Sequence, residues 1–346
     1  MTSTLSKNLN GSITLVKFIF CLCIVMLHYC VPWRFNNAFM VGGYIYVDFF
    51  FILQGFYIED VLKHLNCEHA EREYAVSRIK KFFPIVAAQA LILLMIEVLF
   101  FCESIKDIAL SGIGTLYQVS FASVLLGKNL LNNGTMWFLS AYVIGGVLIV
   151  FVIRRDAKGY RILAPLISAM IYNYIIHTYG NIDAWWGIGF ARCLQYALPR
   201  AIAGISLGYF ARRLYEWLAD FTLLKCKWVK VSFDFVGGGV TALSVAFALF
   251  LPHTEYDYFQ ILFFLAIIIS LNLGLRIPST KIIRSMDKIT LPVYIWQVVS
   301  IRIVTLTGNP TFVRLAAVMF TDLFISIIWL LLTGMIKNRK RKVQEV

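Results

Sequence analysis

Three residues among the first fifty carry chemistry that their apolar surroundings do not explain. Lys17 and His28 lie in the run ITLVKFIFCLCIVMLHYC, and Asp48 lies in GGYIYVDFFFILQGF. An ammonium, an imidazole and a carboxylate are costly in lipid unless they face a protein interior or a wet cavity, so they mark a candidate site. Lys17 and His28 are eleven residues apart. On a helix that is about three turns, so they share nearly one face and stand roughly 16 Å apart along the axis. An imidazole beside a carboxylate is held in one tautomer and can work as a general base. Asp48, expected at similar depth on the next helix, is the carboxylate for that role. Against this stand two plainer readings: His28 as an interhelical hydrogen-bonder, and Lys17 as a side chain snorkelling to the headgroups.

Membrane-length helices must position these groups. Of 346 residues, 60% are hydrophobic and only 15% are charged, with a mean hydropathy of +0.75. Soluble globular chains carry more charge, and here the apolar residues fall in blocks long enough to span a bilayer. The reading is an all-α polytopic membrane protein, a bundle of about ten transmembrane helices at roughly 13–31, 41–62, 82–102, 134–153, 161–179, 196–215, 231–251, 256–277, 289–307 and 312–336. The stretch 108–127, loosened by Ser111, Gly112, Gly114, Gln118 and Ser120, is expected to be re-entrant or interfacial. An eleventh span would invert every later loop. The whole chain, 1–346, is expected to form one integral membrane domain with a basic cytosolic tail at 337–346, and the first apolar run reads as a permanent span rather than a cleaved signal.

The net charge of +13 comes from short loops rather than a nucleic-acid surface. Lys63, Arg72, Arg78, Lys80 and Lys81 fill one loop; Arg154, Arg155, Lys158 and Arg161 fill another. Arg212, Arg213, Lys225, Lys227 and Lys230, then Arg276, Lys281, Arg284 and Lys288, fill two more. The outer segment PHTEYDY has neither Lys nor Arg. By the positive-inside rule this gives a bundle with both termini cytosolic, N-in and C-in, with Lys17 toward the cytosol and His28 toward the outside. Arg78, Lys80 and Lys81 could bind anionic headgroups or form a cationic mouth for a phosphorylated ligand.

The other polar residues read as structural. Asp322 and Arg302 are expected to neutralise each other, Glu97 and His177 to sit near water at outer helix ends, and Asn272 and Gln89 to hydrogen-bond between helices. The Phe and Tyr abundance reads mainly as lipid-facing surface and interfacial belt. Seven cysteines (Cys21, Cys23, Cys30, Cys67, Cys102, Cys193, Cys226) show no CxxC and no metal-ligand spacing, so no metal site is expected. The sequons at Asn10 and Asn133 carry little weight, the first facing the cytosol and the second lying against a helix start.

These segments together resemble the membrane-embedded acyltransferase-3 family. Its first helix carries a basic residue, ten residues, then His; Lys17 to His28 matches, with Lys for the usual Arg. In the next helix Asp48, Phe50, Gly55 and Phe56 match, and Gln54 stands for the usual Ser. SRIKKFFPIV resembles the basic entry to the third helix, MWFL with Trp137 the fourth-helix motif, and LPRAIAGISLGY the sixth. In KITLPVYIWQ, Tyr294 matches and Gln297 stands where His is common. The resemblance covers nearly the whole chain in order.

It implies an acyl-CoA-dependent O-acyltransferase of the plasma (inner) membrane. An acyl group, with acetyl expected, would pass from cytosolic acyl-CoA to a hydroxyl of an extracytoplasmic glycan or glycolipid. His28 would be the base, Asp48 its partner, and Lys17, Arg78 and Lys81 would bind the donor. Gln54, Trp137, Tyr294 and Gln297 would line the pocket. No cofactor would be bound permanently; the acyl-CoA is a co-substrate. An acyl-His intermediate is a rival scheme. The alternative functions are a transporter or flippase of a glycan or lipid-linked precursor, and a degenerate acyltransferase-like sensor.

Overall fold

The computed structural model describes residues 10–30, 41–65, 68–125, 133–183, 188–190, 194–222, 226–250, 256–308 and 311–344. Twelve α-helices make up most of them: α1 Gly11–Cys30, α2 Tyr46–Phe56, α3 Ile58–Leu62, α4 Ala70–Phe100, α5 Ile105–Val119, α6 Trp137–Arg155, α7 Ala157–Tyr179, α8 Ala197–Ala219, α9 Lys227–Phe250, α10 Asp257–Leu273, α11 Lys281–Thr305 and α12 Phe312–Gln344. The only strands among the described residues are a short antiparallel pair, β1 Ile188–Phe190 and β2 Leu194–Gln195. A 3-10 segment, Val41–Ile45, leads into α2, and a break at Tyr57 (φ −100°, ψ 5°) separates α2 from α3.

Taking Val41–Leu62 as one rod and setting aside the shorter α5, the described residues form ten rods that alternate in direction. Side-chain bonds fix their levels. At the end where α1 begins (the near end), Lys17 meets Asp287, Arg154 meets Glu71, Arg212 meets Asp60, and Asn10 meets Asn272. At the opposite, far end, His28 meets Gln297, Tyr172 meets Asp48, Tyr44 meets Asp257, and Tyr29 meets Thr311. Among the described residues, six rods are long and apolar enough to cross a membrane: α1, α4, α6 with its leading turn, α7, α9 and the 312–336 part of α12. Val41–Phe56 and Asp257–Leu273 are shorter apolar helices.

The segment expected at 108–127 is α5, of 15 residues. At 1.5 Å per residue it spans about 22 Å, short of a hydrocarbon core of about 30 Å. Ser104 caps it by accepting from the Asp107 amide, the usual N-terminal solution for an orphan donor. The stretch 337–344, expected as a tail, continues α12 without a break.

Two glycines let α2 and α8 touch backbone to backbone. A Cβ on Gly55 would overlap the Ile205 carbonyl, and one on Gly208 would overlap the Ile52 carbonyl. Gly204 and Gly208 form a GxxxG pair on α8, the small-residue spacing that permits such approach without a hydrophobic driving force. The expectation that aromatics mostly face lipid is corrected in part. Phe20, Tyr46, Phe49 and Phe264 are fully buried and stack together, with Phe20–Tyr46 centroids 4.1 Å apart and Phe49–Phe264 5.6 Å apart. Rings bury large area and pack edge-to-face, which suits the centre of a bundle as well as its belt.

Candidate active site

The continuous helices α1 and α11 bring His28 and Gln297 together at the far end. His28 Nδ1 lies 3.1 Å from Gln297 Oε1. The Gln297 amide is itself oriented, because its Nε2 donates to the Tyr294 carbonyl at 2.8 Å. An amide oxygen only accepts, so the hydrogen sits on His28 Nδ1 and the lone pair on Nε2. Gln297 is fully buried, whereas His28 is half-buried despite the helices around it. Tyr294 is held in turn: its hydroxyl donates to the Thr135 carbonyl at 2.7 Å, and its ring meets Phe138 at 5.2 Å. Asn133 Oδ1 accepts from the Thr135 amide and hydroxyl, which sets the turn that opens α6 just before Trp137.

Asp48 does not partner His28. Its carboxylate accepts from Arg200 Nε at 2.9 Å and from the Tyr172 hydroxyl at 2.9 Å, while Arg200 Nη2 also donates to the Tyr44 carbonyl at 2.9 Å. Asp48 and Arg200 side chains are both 0% exposed, and the guanidinium lies 5.5 Å from the Trp137 ring centroid. Position along the sequence does not give direction around a helix, and Asp48 points toward α7 and α8. Arg200 is the functional-region residue that the sequence reading passed over. Its signal was available: a cation one turn into an apolar helix, in LPRAIAG, needs a buried partner.

At the near end Lys17 Nζ pairs with Asp287 at 2.5 Å. Arg78 lies over the Tyr74 ring at 5.0 Å and the Tyr142 ring at 6.0 Å. Gln54 Nε2 donates to the Tyr74 hydroxyl at 2.7 Å and to the Tyr142 carbonyl at 2.9 Å, joining α2, α4 and α6. Lys81, 5.8 Å from the Phe82 centroid, is within electrostatic reach of Arg78, Lys17 and Asp287. Asp287 therefore pairs with Lys17 within electrostatic reach of Lys81, and Arg78 lies within reach of Lys81 as well. Arg78 Nε and Gln54 Oε1 are buried and make no hydrogen bond among the described residues, a surplus that usually needs an explanation.

The expected Asp322–Arg302 pair is also corrected. Arg302 Nε meets Glu97 at 2.9 Å and its guanidinium lies 4.8 Å from the Phe101 centroid. Asp322 instead accepts from the Ser300 hydroxyl at 3.3 Å. Glu97 is buried rather than water-exposed, while His177 is exposed. Gln89 bonds with Gln118, and Asn272 with Asn10 and Tyr57, both between helices as expected. Cys21, Cys23 and Cys30 are buried thiols, Cys102 is half-buried and Cys226 exposed; Cys67 and Cys193 lie outside the described residues. Among the described residues no three His, Cys, Asp or Glu side chains converge to hold a metal ion.

The chain belongs to the acyltransferase-3 family: the family model described as an acyltransferase domain matches residues 10–336. No curated protein and no solved structure matches it. Membership implies a membrane protein with acyltransferase activity, which needs a bilayer, an acyl donor and an acceptor.

Proposed function

We propose that the protein is a ten-span O-acyltransferase with both termini in the cytosol. It moves an acyl group, with acetyl the expected one, from acyl-CoA at the near end to a hydroxyl of an extracytoplasmic glycan or glycolipid at the far end. The observation that carries this is the stripe along α1. At one end stands His28, its tautomer set by Gln297; at the other stands Lys17, beside Arg78 and Lys81. Basic residues at the near-end helix termini support a cytosolic placement there, and with it the plasma (inner) membrane as the location.

Lys17, Arg78 and Lys81 hold the phosphates of the donor, Arg78 supplying the planar fork that Lys17 lacks. The donor's acyl-bearing arm reaches along the bundle toward His28. His28 Nε2 takes the proton of the acceptor hydroxyl as its oxygen attacks the thioester carbonyl. The new C–O ester bond forms, the C–S bond breaks, and the leaving thiolate receives the proton from the imidazolium. Gln297 and Tyr294 keep the ring aimed; the Tyr294 hydroxyl, already bonded to Thr135, positions rather than reacts. Asp48 acts through the shape of the site, locked to Arg200 beside Trp137.

The test is transfer of label from acyl-CoA to a glycan acceptor in membranes containing the protein. His28→Ala is expected to lower the rate by about 10²–10⁴-fold, the range for a lost general base. Undiminished transfer by that variant would sink the mechanism. Movement of intact acceptor across the membrane with no thioester consumed would replace it with a transporter.

A further inference from the structure

A second polar pocket opens at the near end, and neither Lys17, Arg78 nor Lys81 lines it. Lys17 faces α11 through Asp287, whereas Asn10 faces α10, donating to the Leu271 carbonyl at 2.9 Å. The pocket encloses about 530 Å³ between α1, the α2–α3 break, α8 and α10, a size typical of small-molecule sites. Its floor is a knot of neutral groups. Asn272 Oδ1 accepts from Asn10 Nδ2 at 3.3 Å and from the Tyr57 hydroxyl at 3.1 Å. Its rim carries three cations, Lys63, Arg212 and Arg276, against the single acid Asp60.

Asp60 accepts from Lys63 and from Arg212, each at 3.0 Å, and Arg212 also pairs with Glu216 at 2.8 Å, so Arg276 is the rim cation left without a carboxylate partner among the described residues. Arg276 is turned into position by a backbone φ of 60°, in the left-handed region. That conformation is rare for a residue other than glycine and persists where the surroundings hold it. Here its guanidinium donates to the Asn272 carbonyl at 3.3 Å and to the Tyr215 hydroxyl at 3.1 Å, fixing the fork over an aromatic wall. A concave site with a surplus cation at its rim focuses a positive potential, and Arg with Lys is the donor set that binds phosphate oxygens.

We infer that this pocket is an anion site that takes a phosphate group, separate from the Lys17–Arg78–Lys81 cluster and independent of the acyl-transfer reading. The phosphate comes either from an anionic lipid headgroup or from a soluble phosphoester; the chemistry of recognition is the same for both.

The full chain in nanodiscs tests it. One arm uses phosphatidylcholine nanodiscs with and without inorganic pyrophosphate; the other compares phosphatidylcholine with mixed phosphatidylglycerol nanodiscs. At about ten times the dissociation constant the unfolding midpoint should rise by about 2 °C in at least one arm. A rise in the first arm identifies a soluble source, and a rise in the second alone identifies a lipid. The rise should vanish in Lys63→Gln with Arg276→Gln and shrink in Lys63→Gln alone, which alters only an exposed side chain. It should persist in Arg78→Gln with Lys81→Gln, which removes cations of the other cluster. No rise in either arm, or a rise that survives the Lys63/Arg276 substitutions, overturns the assignment.

Discussion

Gln297 orients His28 without lending it charge. An amide oxygen fixes the Nδ1 hydrogen as a carboxylate would, but offers no negative charge to the imidazolium that forms during reaction. Gln297→Leu should therefore leave the KM for acyl-CoA unchanged and lower kcat by about tenfold, the worth of one hydrogen bond. Steady-state kinetics separates the two parameters. Asp48 and Arg200 make the opposite case, a charge pair with 0% exposure on both sides. Removing either partner leaves a buried charge and should cost about 3–5 kcal/mol, whereas Asp48→Leu with Arg200→Met should recover most of it. Unfolding of the purified variants gives those differences. His28-dependent transfer by the double variant would show that Asp48 serves structure only.

At the level of elements, the glycines divide by what surrounds them. Gly55 and Gly208 sit at the α2–α8 contact, where a Cβ would meet backbone carbonyls. Gly208→Leu must push the helices apart and should destabilise by about 3 kcal/mol or more, read as loss of folded protein in detergent. Gly112, in the middle of α5, has open space around it, so Gly112→Ala should stabilise by about 0.5–1 kcal/mol in the same assay. The rods themselves were legible in part: six of the expected spans coincide with helices long and apolar enough to cross a membrane among the described residues. Their ends were less so, since α4 begins at Ala70 rather than 82 and α11 at Lys281 rather than 289. The irregular parts were harder. The break at Tyr57, the helical continuation to Gln344 and the aromatic centre of Phe20, Tyr46, Phe49 and Phe264 depend on neighbours far away in sequence.

The site in the whole molecule was legible in part for the same reason. Position along a helix is set by counting residues, so Lys17 and His28 were placed at opposite ends of α1. Which neighbour a side chain meets depends on how ten rods are arranged, and that gave Asp48 to Arg200 and Arg302 to Glu97. The arrangement makes a topological prediction as well. Cys226 is exposed at the near end, and Cys102 is half-buried at the far end beside Ser111. With the other cysteines replaced, a membrane-impermeant maleimide should label Cys102 in intact cells and Cys226 only after permeabilisation; the reverse pattern would invert the proposed orientation. The Asp48–Arg200 lock also constrains heredity. These positions stand 152 residues apart, yet a chain that changes one alone passes through a state with a stranded interior charge. Descendants of this sequence can therefore abandon the pair only by nearly simultaneous substitution at both sites, so the two positions should be lost or kept together.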